Sequence, residues 1–508
     1  MDTGESTAAT GLQRRLVLGT VAQQAGQAVG LVSSLALATA LARELTLAEF
    51  GVYGLVISFS TYLFFALGSA ETAAVRTIAA AIDQAALDRA VTVAALVYGV
   101  FGLAAAVVVA GLGMALLPLF DLDPALYDEA RLGVLALAVT TGIGLPLRLF
   151  QDLLRATQRF VLAAAAEAIG YTALATTVLL CLLVFDTELW VLIAVGGAIP
   201  MWLGLAALVM TVAARDVRFR LRPREIRRDR VREFLGIFGA MTFIAASDLV
   251  ISSLDRTILG AMRNAATVGL YEGAARLNAL IRALVGSLSI TLLPVLSRFS
   301  AEGSTDHERA LVLRGSRYIV AAVVPPTVVA MVLADRLLAV WLGEKFTAAT
   351  AATVIFLAWW LVAPNGSVAN SMMVVDAQLR RLAVYSWSIA GINLALSLAL
   401  TPPFGLVGIA IGTTAAYLIV QPFFLRYALR RREISLREFA LTVWLPAYGT
   451  GAIVALALLV VRLTVSLENT FVVLAVGALA TLAGYAVLLT VFFDADERAM
   501  FRSITRRA

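Results

Sequence analysis

Long apolar runs separated by short polar connections fill this chain of 508 residues. A hydrocarbon core about 30 Å thick takes roughly 20 helical residues to cross. Stretches of that length lie at 16–42, 51–75, 90–117, 132–150, 160–185, 189–213, 235–254, 268–296, 311–333, 348–373, 382–400, 405–425, 438–461 and 470–493, fourteen in all. Backbone polar groups in lipid must be satisfied within their own segment, so runs of this length predict helices. The expected fold is all-α and polytopic, built almost wholly inside the bilayer. Arg14 and Arg15 precede a first run with no small-residue cleavage site. It is longer than the apolar core of a signal peptide, which predicts a retained first helix.

Positive charge sets the expected topology. Of the 40 Lys and Arg residues, 31 fall on connections or adjoining span ends on the side of the N-terminus and seven on the opposite side. The remaining two, Arg276 and Arg282, lie inside a span. This bias places both termini in the cytoplasm and the chain in the plasma membrane. Arg215–Arg232 is the densest basic segment, with nine arginines. With Phe219 its one aromatic residue, it reads as a connection lying on anionic headgroups rather than a nucleic-acid arm. The net charge of +6 therefore implies no nucleic-acid partner.

Composition narrows the function classes. The chain is 61% hydrophobic and 15% charged, against about 45–50% and 25% for soluble domains. Its single cysteine, Cys181, falls mid-helix and its single histidine, His307, falls in a connection. That excludes a disulfide framework, a thiolate metal site and histidine-based catalysis. No GxxxxGK[ST] loop is present, so neither a nucleotide nor another cofactor is expected. The longest outward connection, near 119–130, offers Asp121 and Asp123 only as a solvated acidic turn. It leaves no room for the catalytic carboxylates of a membrane glycan polymerase or ligase.

An internal duplication is legible. FGVY at 50–53 matches VGLY at 268–271, an offset of 218 shared by Pro146 with Pro364 and by Ser34 with Ser252. ATQR at 156–159 resembles DAQLR at 376–380, which aligns Gln158 with Gln378. Two six-helix repeats of like orientation are related by an axis along the membrane normal and enclose a central cavity. The expected organisation is a cytoplasmic tail 1–15, an N-lobe 16–213, a basic linker 214–233, a C-lobe 234–432, a lateral helix pair 433–493 and a tail 494–508. Arg43–Phe50 reads as a brief amphipathic turn at the outer interface.

Three stretches carry a family resemblance: LARELTLAEFGVYGL at 41–55, SLDRTILGAMRNAATVGLYEGAARL at 253–277 and LPVLSRFS at 293–300. With them the chain resembles the polysaccharide transporter family, the Wzx-like lipid-linked oligosaccharide flippases of the multidrug/oligosaccharidyl-lipid/polysaccharide exporter superfamily. The resemblance implies a V-shaped, two-lobed bundle and a transporter rather than an enzyme. It implies outward movement of undecaprenyl- or dolichyl-pyrophosphate-linked glycans by alternating access. The implied partners are the lipid-linked oligosaccharide, membrane lipids, and glycosyltransferases or a polymerase of the same pathway. A drug/cation antiporter of the same superfamily is the nearest rival, and a scaffold for glycosyltransferases is another.

Ionisable residues inside spans are costly and are candidates for function. Glu272 and Arg276 are one helical turn apart, and Arg282 lies further along the same span. A guanidinium donates paired hydrogen bonds to phosphate oxygens, so Arg276 and Arg282 are assigned to the pyrophosphate. The alternative is that Glu272 and Arg276 simply neutralise each other. Gln23, Gln27 and Ser34 form one polar stripe, and Asp248, Ser252 and Asp255 form another on the equivalent helix. Gln23, Gln27, Ser34 and Ser252, with Asn365 and Asn370, are expected to line the cavity with neutral groups for sugars. Hydrogen bonds that staple helices together are the competing role. Asp248 and Glu272 are candidates for coupling to a cation or proton. Glu71, Arg76 and Glu167 sit nearer the cytoplasmic interface, and Arg76 is expected to snorkel. Arginine outnumbers lysine 39 to 1, in keeping with a GC-rich prokaryotic genome.

Overall fold

The apolar runs all become helix. A computed structural model describes residues 2–214, 218–301, 305–375 and 378–493. Among the described residues ten helices are long and apolar enough to cross a membrane, or eleven if one bent pair forms a single span. The spans expected at 51–75, 235–254 and 268–296 are helical but run through stretches whose side chains lie outside the described residues. Leu103, Val107, Phe423 and Phe471 stand exposed on their helices, as expected of surfaces that face hydrocarbon rather than water.

The chain divides into two compact units, Met1–Gly269 and Leu270–Ala508. The first holds α1 (Asp2–Glu44), α2 (Leu47–Ala79), α3 (Gln84–Leu116), α4 (Pro124–Leu147), α5 (Leu149–Ala156), α6 (Phe160–Leu183), α7 (Leu189–Gly196), α8 (Ile199–Ala213) and α9 (Arg228–Met262). The chain passes to the second unit within α10 (Ala265–Ala301). There follow α11 (Thr305–Val332), α12 (Ala334–Leu342), α13 (Thr350–Val362), α14 (Ser367–Val375) and α15 (Leu379–Phe404). The last are α16 (Leu406–Arg430), α17 (Leu436–Phe439), α18 (Leu445–Thr464) and α19 (Thr470–Val487).

Several boundaries differ from those expected. Residues 2–15 are helical and continuous with the rest of α1, since extending an existing helix needs no new nucleus. The turn expected at Arg43–Phe50 shrinks to Leu45 and Thr46. There Thr46 and Glu49 form a capping box, each side chain bonding the other's backbone N–H, which restarts the helix at once. The first unit extends through α9, beyond the expected lobe boundary at 213, because α9 packs along α2. Gly260 on α9 admits Phe120 and Leu55 at distances a side chain would close. The expected span 189–213 is two helices bent by 49° at Gly197–Ala198. The tail 494–508 lies outside the described residues.

Both units repeat one succession of elements. A long helix breaks beside a proline (Pro146 in α4, Pro364 in the 3-10 turn Ala363–Gly366), a short helix follows, and a turn carrying Gln158 or Gln378 starts the next. Gln158 ends α5 in the left-handed region, φ 59°. Arg159 N–H bonds Leu154 O at 2.8 Å and Gln158 N–H bonds Arg155 O at 3.0 Å. This is a Schellman closure. It fixes the orientation of α5 and of the charged side chains on it.

Close approach is built with glycine. A Cβ on Gly51 of α2 would overlap Ala265 O and lie 2.8 Å from Gly269 N, at the end of the first unit. Only hydrogen fits there.

The basic linker is strapped to the first unit. Asp88 at the start of α3 accepts from Arg220 N–H at 3.0 Å and Arg222 Nε at 3.2 Å, and Thr92 accepts from Arg222 N–H at 2.9 Å. Gln84 donates to Arg218 O at 2.8 Å. The hydrogen bond to Glu225 holds the Arg222 guanidinium above its usual basicity.

In the second unit α18 and α19 dock on α11 through small residues. Gly451 meets Val324 and Gly484 meets Pro325. Arg462 of α18 grips Asp335 with two bonds of 3.0 and 2.8 Å. Between α18 and α19 lies an apolar groove of about 320 Å³ lined by Leu458, Val461, Val476 and Leu479 among others.

Candidate functional site

The polar face of α10 is the candidate site in the second unit. It forms because Glu272 and Arg276 lie one turn apart on a largely apolar helix, with Arg282 further along the axis and roughly 120° around from Arg276. Glu272 is 3% exposed, and its Oε2 lies 3.5 Å from Nη2 of Arg276. Arg276 is half-buried, with Nε enclosed and unpartnered. The ion pair thus leaves part of that guanidinium free to donate. Arg282, further along α10, is exposed. Its guanidinium carbon lies 5.6 Å from the centre of the Trp359 ring, a cation–π distance. Between the two arginines Asn278 accepts from Trp360 Nε1. Trp359 in turn stacks on Trp360 at 4.8 Å and on Tyr417 at 4.6 Å. The aromatic wall of α13 therefore fixes where α10 holds its charges.

Asn365 is a clasp rather than an open sugar contact. Its amide nitrogen donates to Leu361 O, Val362 O and Tyr448 Oη at 3.1, 3.0 and 2.8 Å, and its oxygen accepts from Trp444 Nε1 at 2.9 Å. Its two N–H groups are shared among these three acceptors, and they tie the break after α13 to the segment leading into α18. Asn370, on α14, is exposed.

The stripe expected on α1 divides. Gln23 donates to Glu167 Oε2 of α6 at 2.9 Å, Gln27 is exposed, and Ser34 turns its hydroxyl back to Leu31 O at 2.8 Å within its own helix. Gly26 and Gly30 pack α1 against Ala164 and Tyr171 of α6, the close packing such spacing predicts. Asp248 and Ser252 lie on α9, and their side chains fall outside the described residues.

Sequence reasoning missed a second polar centre, inside the first unit. Arg155 pairs with both Glu71 of α2 and Glu167 of α6. Arg148, at the junction of α4 and α5, lies 3.6 Å from Glu71. Tyr98 of α3 donates to Asp152, and Gln151 donates to Ala163 O at 3.0 Å. The signal was available: Arg148, Asp152 and Arg155 are spaced i, i+4, i+7 after Pro146, one face of a short helix. Their position at a span boundary gives them the look of cytoplasmic connection residues. No group of three or more metal-ligating side chains occurs among the described residues.

Charged side chains on a helix of a largely apolar, all-helical polytopic bundle call for a role, and comparison with known proteins gives the class. Residues 147–482, roughly two thirds of the chain, match the model of the family described as lipid II flippase MurJ. The chain belongs to this family, and it is a transporter, not an enzyme. The match is to the MurJ family, not to the Wzx-like family that the sequence resembles. Its fold is similar to a solved structure of lipid II flippase MurJ in an inward closed conformation, with TM-score 0.70 and 14% identity over 93% of this chain and 98% of that one. It is similar to an inward-facing multidrug resistance MATE family transporter, with TM-score 0.70 and 12% identity over 80% of this chain and 94% of that one. A superfamily transporter from Pyrococcus furiosus, described by a reversed polarity of its binding pocket, gives TM-score 0.57 and 13% identity over 82% and 95%. No curated protein sequence matches the chain.

Proposed function

We propose that this protein carries a polyprenyl-pyrophosphate-linked saccharide from the inner to the outer leaflet by alternating access between its two lobes. Membership of a lipid II flippase family supports a lipid-linked cargo. The observation that carries the reading to a pyrophosphate is the cationic face of α10. There Arg276 keeps an unpartnered Nε beside its ion pair, and Arg282 is held exposed over Trp359. A drug/cation antiporter would need acids rather than arginines on that face. Phosphate oxygens accept from planar guanidinium forks, while the prenyl chain stays in lipid.

In this reading both termini are cytoplasmic, as the arginine bias requires. The cargo is collected from glycosyltransferases on that side and delivered to a polymerase or ligase outside. A gradient of the cargo or of an ion supplies the direction. Asp248 and Glu272 remain the acids proposed for such an ion, and Gln27, Ser252 and Asn370 the neutral residues proposed for the sugars.

Headgroup discrimination tests the proposal. Thermal stabilisation of the purified protein is measured with three ligands: a polyprenyl-pyrophosphate oligosaccharide, the same lipid carrying a muropeptide-type headgroup, and an organic cation drug. Stabilisation by the oligosaccharide and not by the drug supports the reading. Stabilisation by the muropeptide lipid alone replaces the glycan, and stabilisation by the drug alone overturns the reading.

A further inference from the structure

The centre in the first unit has a charge count that points to a ligand. Three carboxylates, Glu71, Asp152 and Glu167, are gathered with two guanidiniums, Arg148 and Arg155. Arg155 is shared between Glu71 and Glu167, and Arg148 faces Glu71. Asp152 therefore has no guanidinium within ion-pairing distance among the described residues. It is 1% exposed, and its side-chain partner there is the Tyr98 hydroxyl, which donates to Oδ2. Oδ1 is enclosed and unpartnered, and so are Nε and Nη1 of Arg148, itself 7% exposed.

A buried carboxylate with one hydrogen bond, and with the Arg148 guanidinium near but beyond ion-pairing distance, is costly as an anion, whereas the neutral acid is tolerated. We propose that the first unit binds a proton, taken up from water onto Asp152. The added proton cancels the one negative charge by which the cluster exceeds neutrality. No bond to a heavy atom other than the carboxyl oxygen forms or breaks, and no other reactant is required.

The surroundings are consistent on every side. The element bearing Asp152 packs against α2, α3, α4, α6 and α8. From these the groups in the cluster are Glu71 of α2, Tyr98 of α3, Arg148 where α4 ends, and Glu167 with its neighbour Tyr171 on α6. α8 carries no ionisable residue. Asp88 of α3 is occupied by the linker, and Arg76 of α2 is exposed. The Glu71 side chain is 28% exposed, so the cluster reaches its surface there and a proton has a way in. Gln23, Glu167, Arg155, Glu71, Tyr98 and Asp152 tie five helices together, so the proton is linked to how α1, α2, α3, α5 and α6 pack. The site is independent of which cargo the α10 face takes.

Infrared titration of the full-length protein in lipid nanodiscs, without cargo, tests this directly. An exposed aspartate loses its proton near about pH 4. The expected result is a protonated-carboxyl band that persists above that range, disappears in Asp152→Asn and remains in Glu71→Gln. In Tyr98→Phe the band is expected to remain but to move in frequency, because the donor to Oδ2 is gone. That variant keeps the test decisive if Asp152→Asn fails to fold. A wild-type protein with no such band, or a band unmoved by both Asp152→Asn and Tyr98→Phe, overturns the proposal.

Discussion

Arg282 holds its guanidinium carbon 5.6 Å from the ring centre of Trp359, and Trp359 is itself wedged between Trp360 and Tyr417. The aromatic stack positions a charge that is exposed and has no carboxylate ion-paired with it among the described residues. Removing a charged hydrogen-bond donor from a pyrophosphate costs about 1.5–3 kcal/mol, or roughly 10- to 150-fold in affinity. Arg282→Ala is expected to weaken binding of the lipid pyrophosphate by that factor while leaving thermal stability near wild type. Arg282→Lys is expected to recover part of the loss, because charge is kept and the planar fork is not. Ligand-induced thermal shift reads both.

Arg155 is expected to matter for stability rather than for cargo. It joins Glu71 and Glu167, and truncating it leaves partly buried carboxylates uncompensated, at a cost below the about 3–5 kcal/mol of a fully buried pair. Arg155→Ala should lower the unfolding temperature clearly. Adding Glu167→Gln should restore part of the loss, since the orphaned carboxylate is then neutral. Thermal unfolding in one detergent, single against double variant, checks the sign of the coupling.

Glycine contacts give a sharp contrast. Gly51→Ala drives a methyl into Ala265 O, so α2 and the start of α10 must separate and folding yield should collapse. At Gly99 on α3 nothing lies within 4 Å of the place a methyl would take. Gly99→Ala is expected to be neutral or to stabilise by up to about 1 kcal/mol through helix propensity. Size-exclusion profiles and unfolding temperatures of the two variants separate these outcomes.

The linker should be protected, not loose. Asp88 gathers Arg220 N–H, Arg222 Nε and Gln84 Nε2. Asp88→Asn removes the charge those donors share, and it is expected to speed amide hydrogen exchange across 218–222. Unchanged exchange there would show that the strap does not depend on Asp88.

Much of this architecture was legible in the chain. Apolar length marks helices in lipid because the backbone has no other partner, and the offset linking Pro146 to Pro364 marked two places where a long helix breaks. The arginines inside the eighth expected span were visible because charge within an apolar run is costly. The Arg148, Asp152 and Arg155 cluster was hidden by its position at a span end, where arginine is ordinary. Only the long-range approach of Glu71, Tyr98 and Glu167 turns those side chains into a buried centre. Asn365 is the opposite case: its type suits a sugar, and the turn at Ala363–Gly366 uses its hydrogen bonds. The Thr46–Glu49 capping box was a readable local signal that the expected interfacial turn overlooked.

Transbilayer movement in reconstituted liposomes is the most direct measurement of the central claim. A fluorescent polyprenyl-pyrophosphate saccharide is placed in one leaflet, and its arrival in the other is followed by quenching from outside. The account predicts transfer by the wild-type protein and a loss of at least about tenfold in the Arg276→Ala, Arg282→Ala double variant at matched stability. Equal transfer by wild type, double variant and empty liposomes would contradict it.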